Sequence, residues 1–340
     1  MIRHIKNKIW KTIMACSEAT KKLLILNKLK GVGPKTLIEI ASIENFSNLE
    51  IAEIIKSHKK LSSTISGNDS LLYDAERAAD FDIRKSLDNE ARIISFLDTE
   101  YPTLLQSCND KPAILYIKGN WHNQINNSIA IIGTREPTKH GEIITERISR
   151  YFIEQGWSIV SGLALGCDSI AHQTAVDMRG HTVAVLSHGL HTIAPKQNAI
   201  LAEQILANGG ALVSEYAYGV EARPHQFVAR DRIQAALSKA VVMVQSDVKG
   251  GSLHASRAAI NYGRILAVPY PTPVDTDAKE QKIGANLLLS EGSIKQKMDL
   301  LDCNEKALDN LFIIKDKSDY SILIDKMNTD TKSKGQGFLL

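Results

Sequence analysis

The sequence predicts an α/β fold in which helices cover a doubly wound, mainly parallel sheet. An apolar run at residues 129–132 ends at Gly133-Thr134-Arg135 and a helical pattern follows, as in a strand, a loop and a helix. A second run, residues 157–160, ends at Ser161-Gly162 and leads through another glycine-containing loop into a second helix. Four further apolar runs repeat this alternation, at residues 182–186, 211–214, 240–245 and 265–268. Six strands joined by helical crossovers predict right-handed connections.

The composition is that of a globular protein without covalent cross-links. Of its 340 residues, 44% are hydrophobic, enough for a sizeable core and two or three domains. The four cysteines, Cys16, Cys108, Cys167 and Cys303, lack metal-binding or disulfide spacing, which favours a reducing compartment. No apolar run reaches the roughly 18 to 20 residues that cross a bilayer, so we expect a cytoplasmic protein without a membrane partner.

Charge divides the first third of the chain. Residues 1–60 contain 12 Lys and Arg against 5 Asp and Glu, whereas residues 61–110 contain 4 against 10. Residues 61–89 are polar and weakly periodic, as expected of a linker. The predicted organisation is a helical N-terminal domain over residues 1–90, the sheet domain over 91–298, and a polar, partly ordered tail over 299–340.

Residues 26–41, LNKLKGVGPKTLIEIA, predict two helices joined by a tight turn. Gly31 and Gly33 permit the turn, and Pro34 suits the first position of the second helix. The pattern resembles a helix-hairpin-helix, in which turn amides hold a DNA phosphate without reading sequence and Lys35 would add charge. The favoured alternative is an ordinary helical turn in a small interaction domain. Gly31, Gly33 and Lys35 are therefore candidates for a secondary DNA contact only.

Basic residues of the sheet domain concentrate after the predicted strands. They are Arg135 and Lys139 after the first, Lys196 after the third, Arg223, Arg230 and Arg232 after the fourth, and Lys249 after the fifth. The carboxyl ends of parallel strands share one edge of the sheet, so these cations should converge on a polyanionic ligand. The alternative is that Arg230 and Arg232 pair with carboxylates such as Glu215, Glu221 or Asp231.

Two glycine-containing loops add backbone amides to the same edge. Gly162 and Gly166 could bring amides close to a phosphate, as could Gly251 with Ser252 at the start of a helix. Asp168 and Ser252 have a simpler alternative as helix caps.

Several functional classes lack their motifs. No G-x-G-x-x-G follows the first strand and no G-x-x-x-x-G-K-[ST] occurs, which disfavours a dinucleotide cofactor and P-loop hydrolysis. His188 and His191 have no neighbouring Cys or carboxylate set, so a metal site is not predicted. Ser187, His188 and Asp168 lack a nucleophile-elbow pattern, so no catalytic set is predicted either.

An ordered series of motifs over residues 20–295 resembles the DNA-processing protein A (DprA/Smf) family. The motifs are GVGP, DTEYPTLL, ILYIKGN, AIIGTREPTKHG, IVSGLALGCDSIAH, VAVLSHGL with PKQN, ALVSEY, HQFVARDRI, GGSLHAS and GANLLLSEG. The resemblance implies an extended Rossmann-like domain that binds single-stranded DNA and forms a homodimer. It also implies a protein that helps load the RecA recombinase onto incoming DNA during natural transformation.

The resemblance also implies site residues. Arg135 and Lys196 match DNA-contacting positions of the family. Matches to the lining of the same pocket are Gly133, Ser161, Gly162, Gly166, Asp168, Arg230, Arg232, Gly251 and Ser252, and Thr134 and Lys139 complete the candidate set. The chain departs from the family at Asp231, where an asparagine is usual, and at Gly250, where a serine is usual. The tail is too short and polar for the winged helix that some members carry.

These observations predict a non-catalytic protein without cofactor or metal that binds and protects single-stranded DNA. A nucleotide-sensing or nucleotide-hydrolysing protein, with Glu215 as acid or base, remains the alternative, and a defence system is one setting for it. A third possibility is a scaffold that recruits partners and whose pocket no longer binds a ligand.

Overall fold

The computed structural model describes residues 16–65, 70–121, 127–277 and 280–335, with side chains to residue 329. The chain divides into two compact units. Unit 1 contains the described residues up to Gly119 together with His188–Thr192 and Val213–Glu221. Unit 2 contains Asn120–Ser187, Ile193–Leu212 and the residues from Ala222 onward. Every described helix is too short or too polar to cross a membrane.

Among the described residues before its first strand, unit 1 contains five helices, which form the small helical domain of the predicted fold. They are α1 (Glu18–Asn27), α2 (Pro34–Ala41), α3 (Ile51–Ser57), α4 (Lys59–Ile65) and α5 (Ser70–Asp88). The expectation of a linker over residues 61–89 is wrong, because α5 alone has 19 residues. Its core face is built largely from the small side chains Ala75 and Ala79, with Ile83. Alanine contributes little to a hydrophobic pattern, so the helical periodicity of α5 is weak in the sequence.

The predicted turn between α1 and α2 is present. Gly31 has a φ of +80°, a conformation that favours glycine, and Pro34 occupies the first turn of α2. Leu26 and Leu37 are fully or almost fully buried, while Lys35 is exposed. The geometry therefore fits both a phosphate-binding hairpin and a structural turn.

Unit 1 also contains an antiparallel pair of strands, β1 (Ala91–Ser95) and β2 (Ile114–Gly119), with the short helix α6 (Thr103–Gln106) between them. Ala91 pairs with Lys118 and Ser95 with Ile114. These strands belong to unit 1, so the compact units do not divide at residue 90.

The sheet of unit 2 is parallel wherever its register is defined. Its strands are β3 (Ser128–Ile132), β4 (Ser158–Ser161), β5 (Thr182–Leu186), β7 (Ala240–Met243), β8 (Ile265–Pro269) and β9 (Leu311–Ile314), in the order β5-β4-β3-β7-β8-β9. Strand β6 (Ala211–Ser214) begins in unit 2 and ends in unit 1. All residues of β3, β5 and β7 are buried, which explains their continuous apolar sequences. The direction of the strand order reverses between β3 and β7. In doubly wound sheets, ligands bind beside the carboxyl ends of the strands at this position.

Nine helices of unit 2 lie within the described residues. They are α7 (Lys139–Glu154), α8 (Cys167–Asp177), α9 (Ala199–Ala207), α10 (Pro224–Ala236), α11 (Leu253–Asn261), α12 (Pro273–Asp277), α13 (Gly284–Glu291), α14 (Ile294–Leu301) and α15 (Asp319–Gly335). The hydroxyl of Thr138 caps α7 by accepting a hydrogen bond from the amide of Gly141 at 3.0 Å. Ile148 and Phe152 of α7 are fully buried in the core.

The last part of the chain differs from the expected polar tail. Strand β9 pairs in parallel with β8, from Leu266 opposite Leu311 to Pro269 opposite Ile314. Helix α15 buries Tyr320, Leu323 and Met327 in the same core cluster as Phe152. Their spacing of three and four residues marks one face of a helix, but the polar residues around them hid it.

Candidate functional site

A cavity of about 610 Å³ opens at the carboxyl ends of β3 and β7. Its lining combines loop, helix and 3₁₀ residues: Ile132, Gly133, Thr134, Arg135, Ala164, Asp168, Pro224, Phe227, Val228, Arg230, Asp231, Gln234, Ser246, Asp247, Gly250, Gly251, Ser252, His254, Ala255 and Lys282. This is the reversal point of the strand order, where the fold leaves room for a ligand.

One side of the cavity, the open wall, consists of residues 133–135 and 251–252. Arg135 is exposed, and its guanidinium carbon lies 5.8 Å from the ring centroid of Phe227. It makes no hydrogen bond within the part of the chain that the structure describes. Gly133 has no room for a side chain, because a Cβ would come within 2.5 Å of the Cys167 sulfur. The loop therefore turns tightly and presents Arg135 to the cavity.

The rest of the open wall lies at the start of α11. A Cβ on Gly251 would meet no atom within 4 Å, so there is open space in front of this backbone. Ser252 occupies the N-cap position, but its side chain makes no capping hydrogen bond. Its hydroxyl instead donates to the hydroxyl of Ser246 at 2.7 Å. The N-terminus of α11 carries positive partial charge, which favours an anion here.

The packed wall consists of the loop of residues 162–168, which reaches the lining through Ala164 and Asp168, and of Arg230. Arg230 is 4% exposed, and its Nη1 donates to the carbonyl oxygens of Gly162 and Val185, both at 2.5 Å. Its Nε lies 3.1 Å from Oδ1 of Asp231, which confirms the carboxylate-pairing alternative for this arginine. A Cβ on Gly162 would lie 1.9 Å from Nη1. Glycine at position 162 is thus needed for the arginine to reach its partners.

Asp168 holds the loop of the packed wall. Its Oδ2 accepts hydrogen bonds from the amides of Gly162 at 3.0 Å and Ala164 at 3.3 Å. It lies in the first turn of α8, whose N-cap is Gly166 with a φ of +76°, and the cap position makes no side-chain hydrogen bond. Burial raises the pKa of Asp168, and the neighbouring Arg230 opposes that shift. Its main role is to organise the loop that precedes α8.

Asp231 brings a second carboxyl group to the cavity. Burial raises its pKa to about 6, Arg230 opposes the rise and the charge of Asp168 adds to it. The amide of Gln234 donates to Oδ1 at 2.9 Å. This carboxyl therefore changes its charge close to neutral pH.

The structure brings seven of the thirteen sheet-domain candidates to the cavity. They are Gly133, Thr134, Arg135, Asp168, Arg230, Gly251 and Ser252. Lys139, Ser161, Gly162, Gly166, Lys196 and Arg232 are not part of its lining. Gly162 and Gly166 support the lining from behind, since a Cβ on Gly166 would come within 2.4 Å of the Thr134 carbonyl oxygen.

The candidates outside the lining differ in their positions and contacts. Lys139 is exposed and its Nζ lies 2.9 Å from Glu142. Lys196 is exposed in a 3₁₀ turn, Lys196–Asn198. Arg232 follows Arg230 by two residues, which places the two side chains about 200° apart around α10. The hydroxyl of Ser161 donates to the Ile131 carbonyl at 2.6 Å and thereby links β4 to β3.

The sequence reasoning missed Phe227 and Gln234. With Arg230 and Asp231 they have the spacing i, i+3, i+4, i+7 of one helix face. The residue pattern predicts a helix over residues 228–237 that follows a long loop, whereas α10 begins at Pro224, so the pattern places Phe227 in the loop. No residue pattern around Lys282 indicates a role in the cavity. It reaches the lining from a 3₁₀ turn, Gln281–Ile283, that is distant in sequence from most of the other lining residues.

The other candidates lie outside this cavity. Gly31, Gly33 and Lys35 belong to unit 1. His191 approaches Glu221 at 3.2 Å, and no group of three or more metal-binding side chains occurs among the described residues.

Comparison with known proteins identifies relatives of this chain. Protein Smf of Escherichia coli K12 is 36% identical over 216 residues, covering 62% of this chain and 54% of that relative. The chain spans about half the length of the curated relatives it matches.

Two solved structures are similar in fold and sequence. The X-ray structure of DNA processing protein A from Streptococcus pneumoniae has a TM-score of 0.63 and 26% identity, covering 80% of this chain and 97% of that one. The Helicobacter pylori DNA processing protein A, described for its single-stranded DNA binding mode, has a TM-score of 0.54 and 27% identity, with 72% and 97% coverage. The family model for DNA recombination-mediator protein A matches residues 92–304, more than half of the chain. The chain therefore belongs to the DNA recombination-mediator protein A family.

Proposed function

We propose that this protein binds single-stranded DNA at the open wall. The observation that carries the proposal is Arg135, an exposed guanidinium without a hydrogen-bond partner among the described residues, held over the Phe227 ring beside the start of α11. Arg135 and the N-terminal amides of α11 would hold phosphate oxygens. The face of Phe227 would take a base, which requires a strand whose bases are unpaired.

The biological role that we propose is the one the family resemblance implies. The protein would protect incoming single-stranded DNA and help load a RecA-type recombinase onto it during natural transformation. Homodimer formation, a cytoplasmic location, and binding without catalysis or a cofactor belong to the same proposal. The Helicobacter pylori relative, described for its single-stranded DNA binding mode, supports the choice of ligand.

The two lysines outside the cavity stay in the proposal as a path for the strand beyond it. Lys139 and Lys196 are both exposed and follow β3 and β5 in the chain. Gly31, Gly33 and Lys35 remain proposed as a secondary, sequence-independent phosphate contact.

The test is fluorescence anisotropy with a labelled single-stranded oligonucleotide at two salt concentrations and with duplex DNA as competitor. Wild type should prefer the single strand and weaken as salt rises, because phosphate binding releases counterions. Arg135→Ala and Lys196→Ala are measured separately, with Arg150→Ala as the matched control. Arg150 lies on α7, is half exposed and pairs only with Glu146 among the described contacts.

Full affinity in Arg135→Ala would contradict the open wall as the binding site. Thermal stabilisation by a mononucleotide, with no binding of any oligonucleotide, would favour the nucleotide-binding alternative instead.

A further inference from the structure

The two carboxylate oxygens of Asp231 have different surroundings. Oδ1 lies 3.1 Å from Nε of Arg230 and accepts from Nε2 of Gln234 at 2.9 Å. Oδ2 makes no hydrogen bond to any described residue. The side chain is 17% exposed and lines the cavity. One acceptor atom is thus left available on a group that is otherwise held in place by its neighbours.

This acceptor is unfavourable for a phosphate. Asp168 lies close enough to raise the pKa of Asp231, whereas Arg230 and Arg135 lower it. Nη1 of Arg230 is already bonded to two carbonyl oxygens, so a phosphate oxygen placed beside Oδ2 of Asp231 would meet a carboxylate rather than a donor. The phosphates of a bound strand should therefore keep to Arg135 and the start of α11, away from Asp231.

A base suits the same acceptor better. Phe227 and Asp231 are four residues apart on α10, so they share a helix face with Cβ atoms about 5–6 Å apart. Both residues line the cavity. A base stacked on the Phe227 ring would have its polar edge within reach of Asp231. That edge must donate a hydrogen bond, because an ionised carboxylate can only accept one.

We infer that Asp231 is a specificity-determining residue that accepts a hydrogen bond from the exocyclic amino group of cytosine or adenine and disfavours uracil or thymine. The inference rests on the proposed function. Carboxylates read cytosine through its N4 amino group, whereas the O4 carbonyl of uracil or thymine would face the carboxylate with like partial charge.

The charges around Asp231 set the pH at which this selection operates. Its pKa of about 6 leaves it ionised at pH 8. Arg230 on the same helix, Asp168 on α8 and Arg135 on the β3 loop act on it directly. Asp247, His254 and Lys282 also line the cavity.

The experiment compares oligo(dC) with oligo(dU) of the same length at pH 8, by anisotropy. The two strands differ only in the 4-position and N3 of the base, so the ratio of their dissociation constants isolates the polar edge. Wild type should bind oligo(dC) about tenfold more tightly, the order expected for one side-chain contact to a base edge. Asp231→Asn should bring the ratio to within about twofold of one, since an amide can donate to O4 as well as accept from N4.

Asp247→Asn is the matched control, because it removes one negative charge from the same lining. It should strengthen binding to both strands without changing their ratio. A ratio of dissociation constants near one for the wild-type protein would overturn the inference while leaving the proposed function intact. This outcome is measured on the wild-type protein alone, so it does not depend on the folding of a variant. An unchanged preference in Asp231→Asn would overturn it as well. No binding of either strand by folded wild type would overturn the proposed function itself.

Discussion

The open wall and the packed wall border the same cavity and have similar components, but they use their polar groups differently. Each contains a loop that follows a parallel strand, a glycine and an arginine. In the open wall Arg135 is exposed and unbonded among the described residues, whereas in the packed wall Arg230 is buried and bonded to Gly162 and Val185. Position after a strand therefore brings an arginine to the cavity without deciding whether it is available to a ligand.

The reason for the difference is the number of partners within reach. Arg230 extends from α10 to the carbonyl oxygens of Gly162, in the loop of residues 162–168, and of Val185, in β5. Arg135 lies on the exposed β3 loop over the Phe227 ring and makes no hydrogen bond to a described residue. The first arginine should matter for stability and the second for binding.

The largest effect that tests this contrast is expected for Arg230→Ala. Removing the cation leaves the buried carboxyl groups of Asp168 and Asp231 without the guanidinium beside them, so the free energy of unfolding should fall by about 3–5 kcal/mol. Urea denaturation measures it, with Arg150→Ala expected to lose less than about 1 kcal/mol as an exposed pair. An Arg230→Ala protein with the wild-type urea midpoint would show that the packed wall is not a stabilising element.

Arg135→Ala should instead weaken DNA binding and leave the stability of the fold unchanged. Single-strand affinity should fall roughly 10- to 100-fold, the loss expected for one hydrogen bond to a charged group. The slope of log affinity against log salt should become shallower by about 0.7, as expected for one phosphate contact fewer. The urea midpoint should not change. A large loss of stability in Arg135→Ala would show that Arg135, like Arg230, stabilises the fold.

A glycine-to-alanine substitution in each wall, at Gly162 and at Gly251, tests the difference between the walls by adding a single methyl group. Gly162→Ala places that methyl 1.9 Å from Arg230 Nη1, and the crowding should cost about 1–3 kcal/mol of unfolding free energy. Gly251→Ala meets no atom, so its stability should stay within about 0.5 kcal/mol of wild type while affinity falls as the methyl occupies ligand space. Equal stability of the two variants, measured by thermal unfolding, would remove the distinction between the walls.

The smallest expected effect is the pH dependence due to Asp231. Its folded pKa of about 6 lies above its usual value of 3.8, so the neutral form is favoured in the folded protein. The stability that this group contributes is present below pH 3.8 and is lost as pH rises through about 6. Affinity for oligo(dU) should likewise decrease between pH 5 and pH 7, as the carboxylate ionises opposite the O4 carbonyl of the base.

Asp231→Asn should flatten both pH profiles, because an amide does not titrate in this range. Titrations of oligo(dU) binding and of the unfolding midpoint provide the measurements. Equal slopes in wild type and the variant would assign the pH dependence to another group.

The strands could be predicted more fully than the helices. Each strand from β3 to β8 is a continuous apolar run between glycine or polar residues, because both faces of a parallel sheet are covered. Helix α5 was missed because alanines form much of its core face, and β9 and α15 because polar residues surround short apolar segments. For the cavity, Arg135 could be predicted from its place after β3. Phe227 could not, because helix starts are uncertain by several residues and this one moved by four.

The sequence by itself determined the order of strands and helices, the edge of the sheet at which the cavity forms, and most of the loops that reach it. These properties depend on apolar runs and glycines that are adjacent in the chain. Only the tertiary structure decided which polar groups remain available. Arg230 meets its partners Gly162 and Val185 across 68 and 45 residues of sequence. A hydrogen bond of that kind depends on distances between separate loops, which no local pattern of residues specifies.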